Sequence, residues 1–582
     1  MALRSKRVMV LSIDAGTWDI MSPMMGKGEL PHMASIMRDG LSAGLISTTP
    51  SITPTAFASL LTGVNPGKHG IYHFYGNLHS NYTEANFLNY SDIPVKTIFD
   101  ILTEQGRRIV SLAVPLAYPI RPDTKGAVVA LRSIGSMKEK NIVIHPPELR
   151  EELLKKLGGF DEGKLSHYLK EYGDLPKVDF YDRMVKKIHY LTDKLGMVIQ
   201  LFVKEGGWDI FMVNFSITDV FQHMFWRFMD DTHISYDGEL APRYREVIYD
   251  AYRKIDDVIG EVLKNIDDET TLIVISDHGA APLHRKFNVN RWLKEKGFLC
   301  LRSSRLRSRS FKIMYPTIYK ILAKLGLTTL GEFLPKPIRQ FKIPVIRTSP
   351  KSLSEMIDWS RTKAYFSAGG ININLKGREP NGIVETSQEY EELLKYIRKE
   401  LNELQDQVTG EKVTKVDRKE DLFSGPFVRE ATDLYISFRE GFFCIPFEGT
   451  FKKDIFTVCP KDIVTGSKEE QVSGHHVAIL TAARGILIIK GPDIRRIPEG
   501  GRDVRIIDLT PTLLYLLGVP IPEHMDGSLI RDFIVPETFE KNPPVMIKME
   551  NDGFLPAKMK ETLSFEDEES VREQLRNLGY LE

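Results

Sequence analysis

Four short apolar segments constrain the fold of this chain more than any other feature. "RVMVLSID", "RRIVSLAV", "WDIFMVNF" and "TLIVISDHG" are rich in Val, Ile and Leu and alternate with stretches of helical spacing. Buried parallel strands have such near-continuous apolar runs because helices cover both faces of the sheet. The run 180–202 has apolar residues at helical spacing and leads through a Gly-Gly link into "WDIFMVNF". The sequence therefore predicts an α/β core.

The chain is longer than a usual single domain. Its 582 residues predict one large domain with insertions, or two domains. Between Leu301 and Lys351 stand twelve Lys or Arg residues and a single acid, Glu332. We predict a first part of the core at 1–298, a basic, lid-like helical insertion at 299–355, a second part of the core at 356–535, and a tail with a helix at 536–582.

Charge and cysteine content limit the partners and the compartment. The formal net charge is zero, so no whole-chain field favours nucleic acid. Cys300, Cys444 and Cys459 are too scattered for a disulfide framework, which favours a reducing compartment. With neither a signal-peptide pattern nor a long apolar run, we expect a cytoplasmic protein. The segment 301–351 permits peripheral contact with an anionic membrane, or else is a solvated lid. The oligomeric state is left open.

Acidic and imidazole side chains stand at the ends of predicted strands, where open parallel sheets bind ligands. They are Asp14 after "VMVLSI", Asp219 and His223 in "NFSITDVFQH", Asp277 and His278 in "VISDHG", and His475 and His476 in "SGHH" ahead of the strand "GILII". Taken singly, each is consistent with a helix cap, a surface pair or a turn. Together, three aspartates and three histidines are the ligand set of two sites suited to zinc or manganese.

The stretch "TPTAFASLLTG" has the pattern of a helix, with Thr53 at the cap, Pro54 at the first helical position and Gly63 at the end. Free N–H groups and the helix dipole make such a start a ready anion site. Thr53 is either only the cap or a nucleophile that a divalent ion activates. The segment "GVNPGKHG" does not have the glycine spacing of a P-loop, and His follows its Lys.

These residues carry a family resemblance. Asp14 after the first strand, "TPTAFASLLTGVNPGKHGI", "TDVFQHMFW", "SDHG", "GHH" before "GILIIKGP", and "IDLTPTLLYLLGVPIPEHMDGSLI" resemble the type I phosphodiesterase/nucleotide pyrophosphatase family of the alkaline phosphatase superfamily. The resemblance implies a doubly wound, mostly parallel sheet flanked by helices. It also implies two divalent ions, Zn²⁺ or alternatively Mn²⁺, and a threonine or serine that is transiently phosphorylated.

The resemblance also assigns roles to individual residues. Asp14, Thr53, Asp277 and His278 would hold the ion that activates the Thr53 nucleophile. Asp219, His223 and a late histidine would hold the other ion, and the family's Gly-x-His element favours His476 over His475. We therefore expect a phosphodiesterase or pyrophosphatase acting on a small molecule through a phosphothreonine. A phosphomonoesterase or phosphomutase on the same metal core, or a phosphotransferase associated with a membrane or polyanion, is the alternative.

Overall fold

A mixed sheet forms the centre of the protein in the computed structural model. The model describes residues 7–76, 79, 82, 87–131, 142–157, 177–302, 356–367, 369–385, 388–406, 409–445, 455–458, 472–476, 479–555 and 572. Among these residues, nine strands form the central sheet in the order β17-β2-β16-β7-β1-β6-β3-β4-β5. Its strands are β1 (Arg7–Ile13), β2 (Leu41–Ile46), β3 (Arg108–Leu112), β4 (Lys125–Leu131), β5 (Ile142–His145), β6 (Ile210–Phe215), β7 (Thr270–Ile275), β16 (Arg484–Lys490) and β17 (Val504–Arg505).

The middle of this sheet is parallel. Strand β1 lies between β6 and β7 and is parallel to both, with Val10 opposite Met212 and Ile273. Strands β3 and β4 continue the parallel arrangement beyond β6. Strand β16 is antiparallel to both of its neighbours, β2 and β7. The predicted α/β fold with a mostly parallel sheet is confirmed.

Helices cover both faces of the sheet. In chain order the helices of the described residues are α1 (Trp18–Gly26), α2 (Pro31–Asp39), α3 (Thr53–Thr62), α4 (Pro66–His69), α5 (Ile98–Glu104), α6 (Leu149–Lys156), α7 (Lys177–Glu205), α8 (Ile217–Met229), α9 (Ala241–Tyr244), α10 (Val247–Leu263), α11 (Val289–Glu295), α12 (Gln388–Asn402), α13 (Lys419–Leu422), α14 (Leu509–Leu516) and α15 (Pro536–Lys541). The long helix α7 contains the predicted helical run 180–202.

Alternation along β1 shows how the two cores form. Met9 and Leu11 pack into one cluster with α1, α2, α7, α8 and α10. Val8 and Val10 point to the opposite face and pack with α3, α5 and α14. All four side chains are at most 1% exposed, so β1 has an apolar residue at every position from Val8 to Leu11. Each such buried side chain stabilises the fold by about 1.5–3 kcal/mol.

Two smaller sheets lie beside the central one. The antiparallel sheet β11-β12-β10-β9 consists of β9 (Ala364–Ser367), β10 (Gly370–Ile373), β11 (Thr414–Arg418) and β12 (Leu434–Phe438). The other contains β8 (Ala281–Asn288), β13 (Gly441–Ile445), β14 (Phe456–Val458) and the short β15 (Gly474–His475), which pairs with β8. A last pair, β18 (Ile521–Pro522) and β19 (Met546–Ile547), lies near the end of the described chain. Both smaller sheets share a third apolar cluster.

A buried ion network stabilises the antiparallel sheet. Asp433 is 0% exposed. The Arg378 guanidinium donates to both of its carboxylate oxygens at 2.6 Å, and Lys419 Nζ donates to Oδ1 at 2.9 Å. Burial opposes ionisation of Asp433, but Arg378 and Lys419 outweigh it and hold the pKa of this carboxyl well below its usual value. The charge of Asp433 is therefore compensated inside the sheet.

Two predicted features lie outside the described residues. These are the basic helical insertion, of which only residues 299–302 are described, and the C-terminal helix, of which only Arg572 is described. Within the part of the chain that is described, none of the helices combines the length and apolar character that crossing a lipid bilayer requires.

Candidate active site

Five segments meet at the carboxyl edge of the parallel strands. Asp14 directly follows β1, while Asp277 and His278 follow β7. Strand β6 leads into α8, which carries Asp219 and His223 on one face. Strand β2 leads into the start of α3, and the segment 472–476, here called the histidine loop, lies beside α8. Every residue that the sequence singles out as a ligand or nucleophile is at most 6% exposed.

The first group of potential ligands comes from β1 and β7. His278 Nε2 lies 3.2 Å from Asp277 Oδ2 and 3.8 Å from Asp14 Oδ1. One ligand atom from each of these three residues falls within 4.8 Å of the others. The three side chains can therefore bind a single cation.

The second group comes from α8 and the histidine loop. Asp219 Oδ1 lies 3.2 Å from His223 Nε2 and 3.4 Å from His476 Nε2. Asp219, His278 and His476 also have ligand atoms within 4.8 Å of one another, so His278 belongs to both groups. The rings of His278 and His476 are stacked with centroids 3.6 Å apart. The two groups form one continuous cluster.

Backbone carbonyls orient the three imidazoles of the cluster. Nδ1 of His223 donates to Gly474 O at 2.9 Å, Nδ1 of His278 to Gly279 O at 3.0 Å, and Nδ1 of His476 to Ser51 O at 2.8 Å. A carbonyl only accepts, so each Nδ1 carries a proton, and in the neutral form of each ring Nε2 has the lone pair. This arrangement is typical of histidines that bind a metal through Nε2.

The carboxylate oxygens of the cluster provide the test of whether cations fit. Asp14 Oδ1, Asp219 Oδ1 and Asp277 Oδ2 are buried and accept no hydrogen bond from the described residues. These oxygens face the unprotonated Nε2 atoms, and the two kinds of lone pair repel unless positive charge lies between them. Carboxylate oxygen and imidazole nitrogen together suit Zn²⁺ and Mn²⁺. The residues present fit divalent cations.

The pKa values agree with that conclusion. Burial, with the charges of Asp277 and Asp219, raises the pKa of Asp14 well above its usual value. Burial and the charge of Asp219 raise the pKa of Asp277 to about 7. Burial lowers the pKa of His278, and burial together with His278 lowers that of His476 to about 3. Burial opposes ionisation of Asp219 as well, but His223 and His476 outweigh it and hold the pKa of this carboxyl well below its usual value. Without cations, the ionised forms of Asp14 and Asp277 are thus disfavoured, and His278 and His476 are neutral; bound cations would favour the ionised carboxylates and the neutral imidazoles.

Thr53 lies at the first turn of α3 and contacts the cluster. Its Oγ1 is 3.3 Å from His278 Nε2, and the hydroxyl donates a hydrogen bond to this nitrogen. The prediction that Thr53 caps the helix is wrong: Ile52 is the N-cap, and it makes no side-chain capping bond. The helix begins at Thr53, one residue earlier than the pattern indicated, so Pro54 is its second residue. Proline fits there because the N–H groups of the first turn have no partner within the helix. The Thr53 hydroxyl therefore faces His278 and the helix end faces the cluster.

A family model decides to which family the chain belongs. The model described as type I phosphodiesterase / nucleotide pyrophosphatase matches residues 8–449, which is most of the chain. The chain belongs to that family. The resemblance predicted from the motifs is confirmed, and this family member is a phosphoric ester hydrolase.

Solved structures similar to this phosphodiesterase family member include murine ectonucleotide pyrophosphatase/phosphodiesterase 5, at 14% identity over 91% of this chain and 100% of that chain, with a TM-score of 0.47. The human protein gives 14% identity over 91% of this chain and 99% of that chain, with a TM-score of 0.45. An inactive variant of the murine protein, in complex with AMP, gives 13% identity over 91% of this chain and 100% of that chain, with a TM-score of 0.47. No curated protein sequence matches the chain significantly.

His475 takes a different place from His476 in this family member. Its Nδ1 accepts a hydrogen bond from the backbone N–H of His476 at 2.9 Å, and its ring stacks on Phe443 with centroids 3.8 Å apart. Among the described residues, the two sets whose ligand atoms all lie within 4.8 Å of one another include neither His475 nor His223, but His223 Nε2 lies 3.2 Å from Asp219 Oδ1. Ser51 instead holds His476: it accepts from Nδ1 and donates from Oγ to His476 O at 3.0 Å.

Sequence reasoning missed three polar residues around Asp14. Asn214 Nδ2 donates to Asp14 Oδ2 at 3.3 Å, and Thr218 Oγ1 donates to Asp14 O at 2.5 Å. Gln222 Nε2 donates to the carbonyl of Ala15 at 2.9 Å, a residue with a left-handed φ of 58°. The spacing of Thr218 and Gln222, four residues as for Asp219 and His223, was the available signal in "NFSITDVFQH".

Proposed function

We propose that this chain is a two-metal phosphodiesterase or nucleotide pyrophosphatase that works through a phosphothreonine intermediate on Thr53. One observation carries the proposal: imidazole Nε2 atoms lie opposite carboxylate oxygens, as in His223 and Asp219 or His278 and Asp277, and the Thr53 hydroxyl lies beside them. The family's description supports a phosphodiester or pyrophosphate of nucleotide type as the substrate class. Three scattered cysteines, of which Cys300 and Cys444 are free thiols, support a cytoplasmic location.

Six residues would hold the two ions. Asp14, Asp277 and His278 would bind the ion nearer Thr53, and Asp219, His223 and His476 would bind the other; Zn²⁺ is the first candidate and Mn²⁺ the second. When bound, such ions favour deprotonation of a hydroxyl and stabilise negative charge on phosphoryl and leaving-group oxygens.

The chain's own residues would organise two successive transfers. In the first, Thr53 Oγ1 attacks phosphorus in line, the Oγ1–P bond forms, the bond from phosphorus to the leaving oxygen breaks, and the hydroxyl proton of Thr53 ends on the leaving group. In the second, a water oxygen attacks the same phosphorus and the Oγ1–P bond breaks, which restores the Thr53 hydroxyl and releases the phosphate product. The first turn of α3 points N–H groups and its dipole at the phosphoryl oxygens in both steps.

Replacing the proposed nucleophile tests the mechanism. Thr53→Ala should reduce turnover of an aryl phosphodiester to background, while metal content by mass spectrometry stays near two ions per chain. Thr62→Ala is the control, since Thr62 is buried in the same helix and its hydroxyl donates to Ala58 O, away from the cluster. Rapid quenching of the wild type followed by peptide mass spectrometry should find phosphate on Thr53. Retained activity in Thr53→Ala contradicts the proposal.

The ratio of rates on an aryl phosphodiester and an aryl phosphate monoester tests the substrate class in the same assay. A higher kcat/KM on the diester is expected. A higher value on the monoester would favour the phosphomonoesterase alternative on the same residues.

A further inference from the structure

The histidine loop is attached to α8 at the turn that carries His223. The backbone N–H of Ser473 donates to His223 O at 2.7 Å, and Ser473 Oγ accepts from the N–H of Arg227 at 3.2 Å. These are the carbonyl and the N–H that an α-helix pairs across one turn. Ser473 therefore aligns the loop with a single turn of α8.

Gly474, the next residue of the histidine loop, packs directly against α8. A Cβ atom on Gly474 would lie 2.3 Å from Gln222 O and 2.9 Å from the Trp226 ring. The Gly474 carbonyl accepts from Nδ1 of His223, and two residues later His476 reaches Asp219. The position of Ser473 thus decides where both imidazoles meet the Asp219 carboxylate.

His233 contacts the backbone carbonyl of Ser473, whose N–H and Oγ contact α8. It lies in the segment after α8 and is 3% exposed. Its Nδ1 accepts from the N–H of Ser235 at 3.0 Å, so its Nε2 carries the proton and donates to Ser473 O at 3.0 Å. Burial lowers the pKa of His233 to about 4, so the ring is neutral at pH 7, as this pair of hydrogen bonds requires.

We infer that His233 is a positioning residue for the half of the metal centre built on Asp219, acting through the carbonyl of Ser473. This inference rests on the proposed two-metal function. His233 touches none of the proposed ligands directly. Together with the N–H of Leu283, which also donates to Ser473 O at 2.8 Å, its hydrogen bond holds the loop at the register in which His223 and His476 both face Asp219. The half built on Asp14 and Asp277 receives no such support from His233.

The geometry of the donor allows a conservative rescue. The side-chain nitrogen of Gln reaches about as far from the backbone as imidazole Nε2, whereas that of Asn stops near the position of Nδ1. His233→Gln should therefore keep the bond to Ser473 O, and His233→Asn and His233→Ala should lose it. His284→Gln is the control, because its ring lies 4.8 Å from that of His233, and its Nδ1 accepts from Ile234 N–H at 3.4 Å.

Calorimetric titration of the metal-stripped full chain with Zn²⁺ tests the inference. In His233→Ala and His233→Asn, we expect the Kd of one of the two ions to weaken by about 10-fold, the lower end of the effect of losing a direct hydrogen-bond partner of a metal ligand, since His233 acts through Ser473. The Kd of the other ion should stay within about threefold of wild type, and His233→Gln and His284→Gln should resemble wild type. Tm values of the metal-stripped variants should agree with wild type.

Each other result overturns the inference. Two unchanged ions in His233→Ala would show that the hydrogen bond is not needed. Equal weakening of both ions together with a lower Tm, or the same loss in His284→Gln, would show general damage rather than positioning. A wild-type chain that binds fewer than two ions would instead overturn the proposed function, and this is measured before any variant is compared.

Discussion

His69, a buried histidine at the end of α4 that contacts α3, makes the loss of folding stability at acidic pH predictable. His69 is 0% exposed; its Nδ1 accepts from the N–H of Ile71 at 3.0 Å, and its Nε2 donates to Ser59 Oγ at 2.8 Å. Burial lowers the pKa of His69 from 6.5 to about 3. Protonation of Nδ1 would break the bond to Ile71, so the folded protein resists protonation there.

The sign and the size follow from proton linkage. The unfolded chain binds the His69 proton more tightly than the folded protein, so stability falls as the pH drops below about 6.5 and continues to fall until about pH 3. One pKa unit corresponds to about 1.4 kcal/mol, so His69 should lower the free energy of unfolding by about 2 kcal/mol between pH 7 and pH 5. Other titrating groups also change the free energy of unfolding with pH. Comparing wild type with a variant that lacks only His69 cancels their contributions.

His69→Gln isolates that contribution. Gln does not titrate and can donate to Ser59, but it leaves the N–H of Ile71 without its acceptor, so we expect the variant to be about 1–3 kcal/mol less stable at pH 7. At pH 5 the gap to wild type should have narrowed by about 2 kcal/mol. Urea unfolding of both metal-stripped proteins at each pH, followed by tryptophan fluorescence, measures the gap. An equal gap at both pH values would refute the reasoning.

Three further outcomes are expected. Asp433→Ala removes the buried carboxylate that pairs with the buried Lys419 and the partly buried Arg378, and should destabilise the protein by about 3–5 kcal/mol in urea unfolding. Asp417→Ala, which changes a half-buried acid of β11, is the milder control. Gly474→Ala forces its Cβ against Gln222 O, so diesterase kcat should fall and one Zn²⁺ should bind more weakly by calorimetry. Adding Zn²⁺ at about 100 times its Kd to the metal-stripped protein should stabilise it by about 2.7 kcal/mol per ion, measured as a rise in Tm; an unchanged Tm would contradict the metal centre.

The strand ends of the central sheet could be predicted because local pattern alone specifies them. A buried parallel strand is a continuous apolar run, so the end of each run marks the carboxyl edge, and Asp14, Asp277 and His278 were found there. The pair Asp219 and His223 followed from helical spacing. Which ligands share an ion is still a prediction, since it depends on the cations themselves.

Other features depend on contacts between distant parts of the chain. The choice between His475 and His476 rests on Phe443 and Ser51, which no local pattern relates to the loop. The role of His233 depends on a carbonyl 240 residues further along the chain. The start of α3 shifted by one residue because Pro54 fits both of the first two helical positions.

The direction of β16 explains the order of the proposed ligands along the chain. Asp14, Asp219 and Asp277 each come after the strand that delivers them, whereas His476 comes before its strand. Strand β16 runs against β7, with Leu487 opposite Ile275, so it is the beginning of β16 that reaches the edge where the other strands finish. A proposed ligand that stands before an apolar strand segment, rather than after it, therefore indicates that this strand is antiparallel to its neighbour. In related chains, the position of the late histidine before or after that segment can indicate the direction of the strand from the sequence alone.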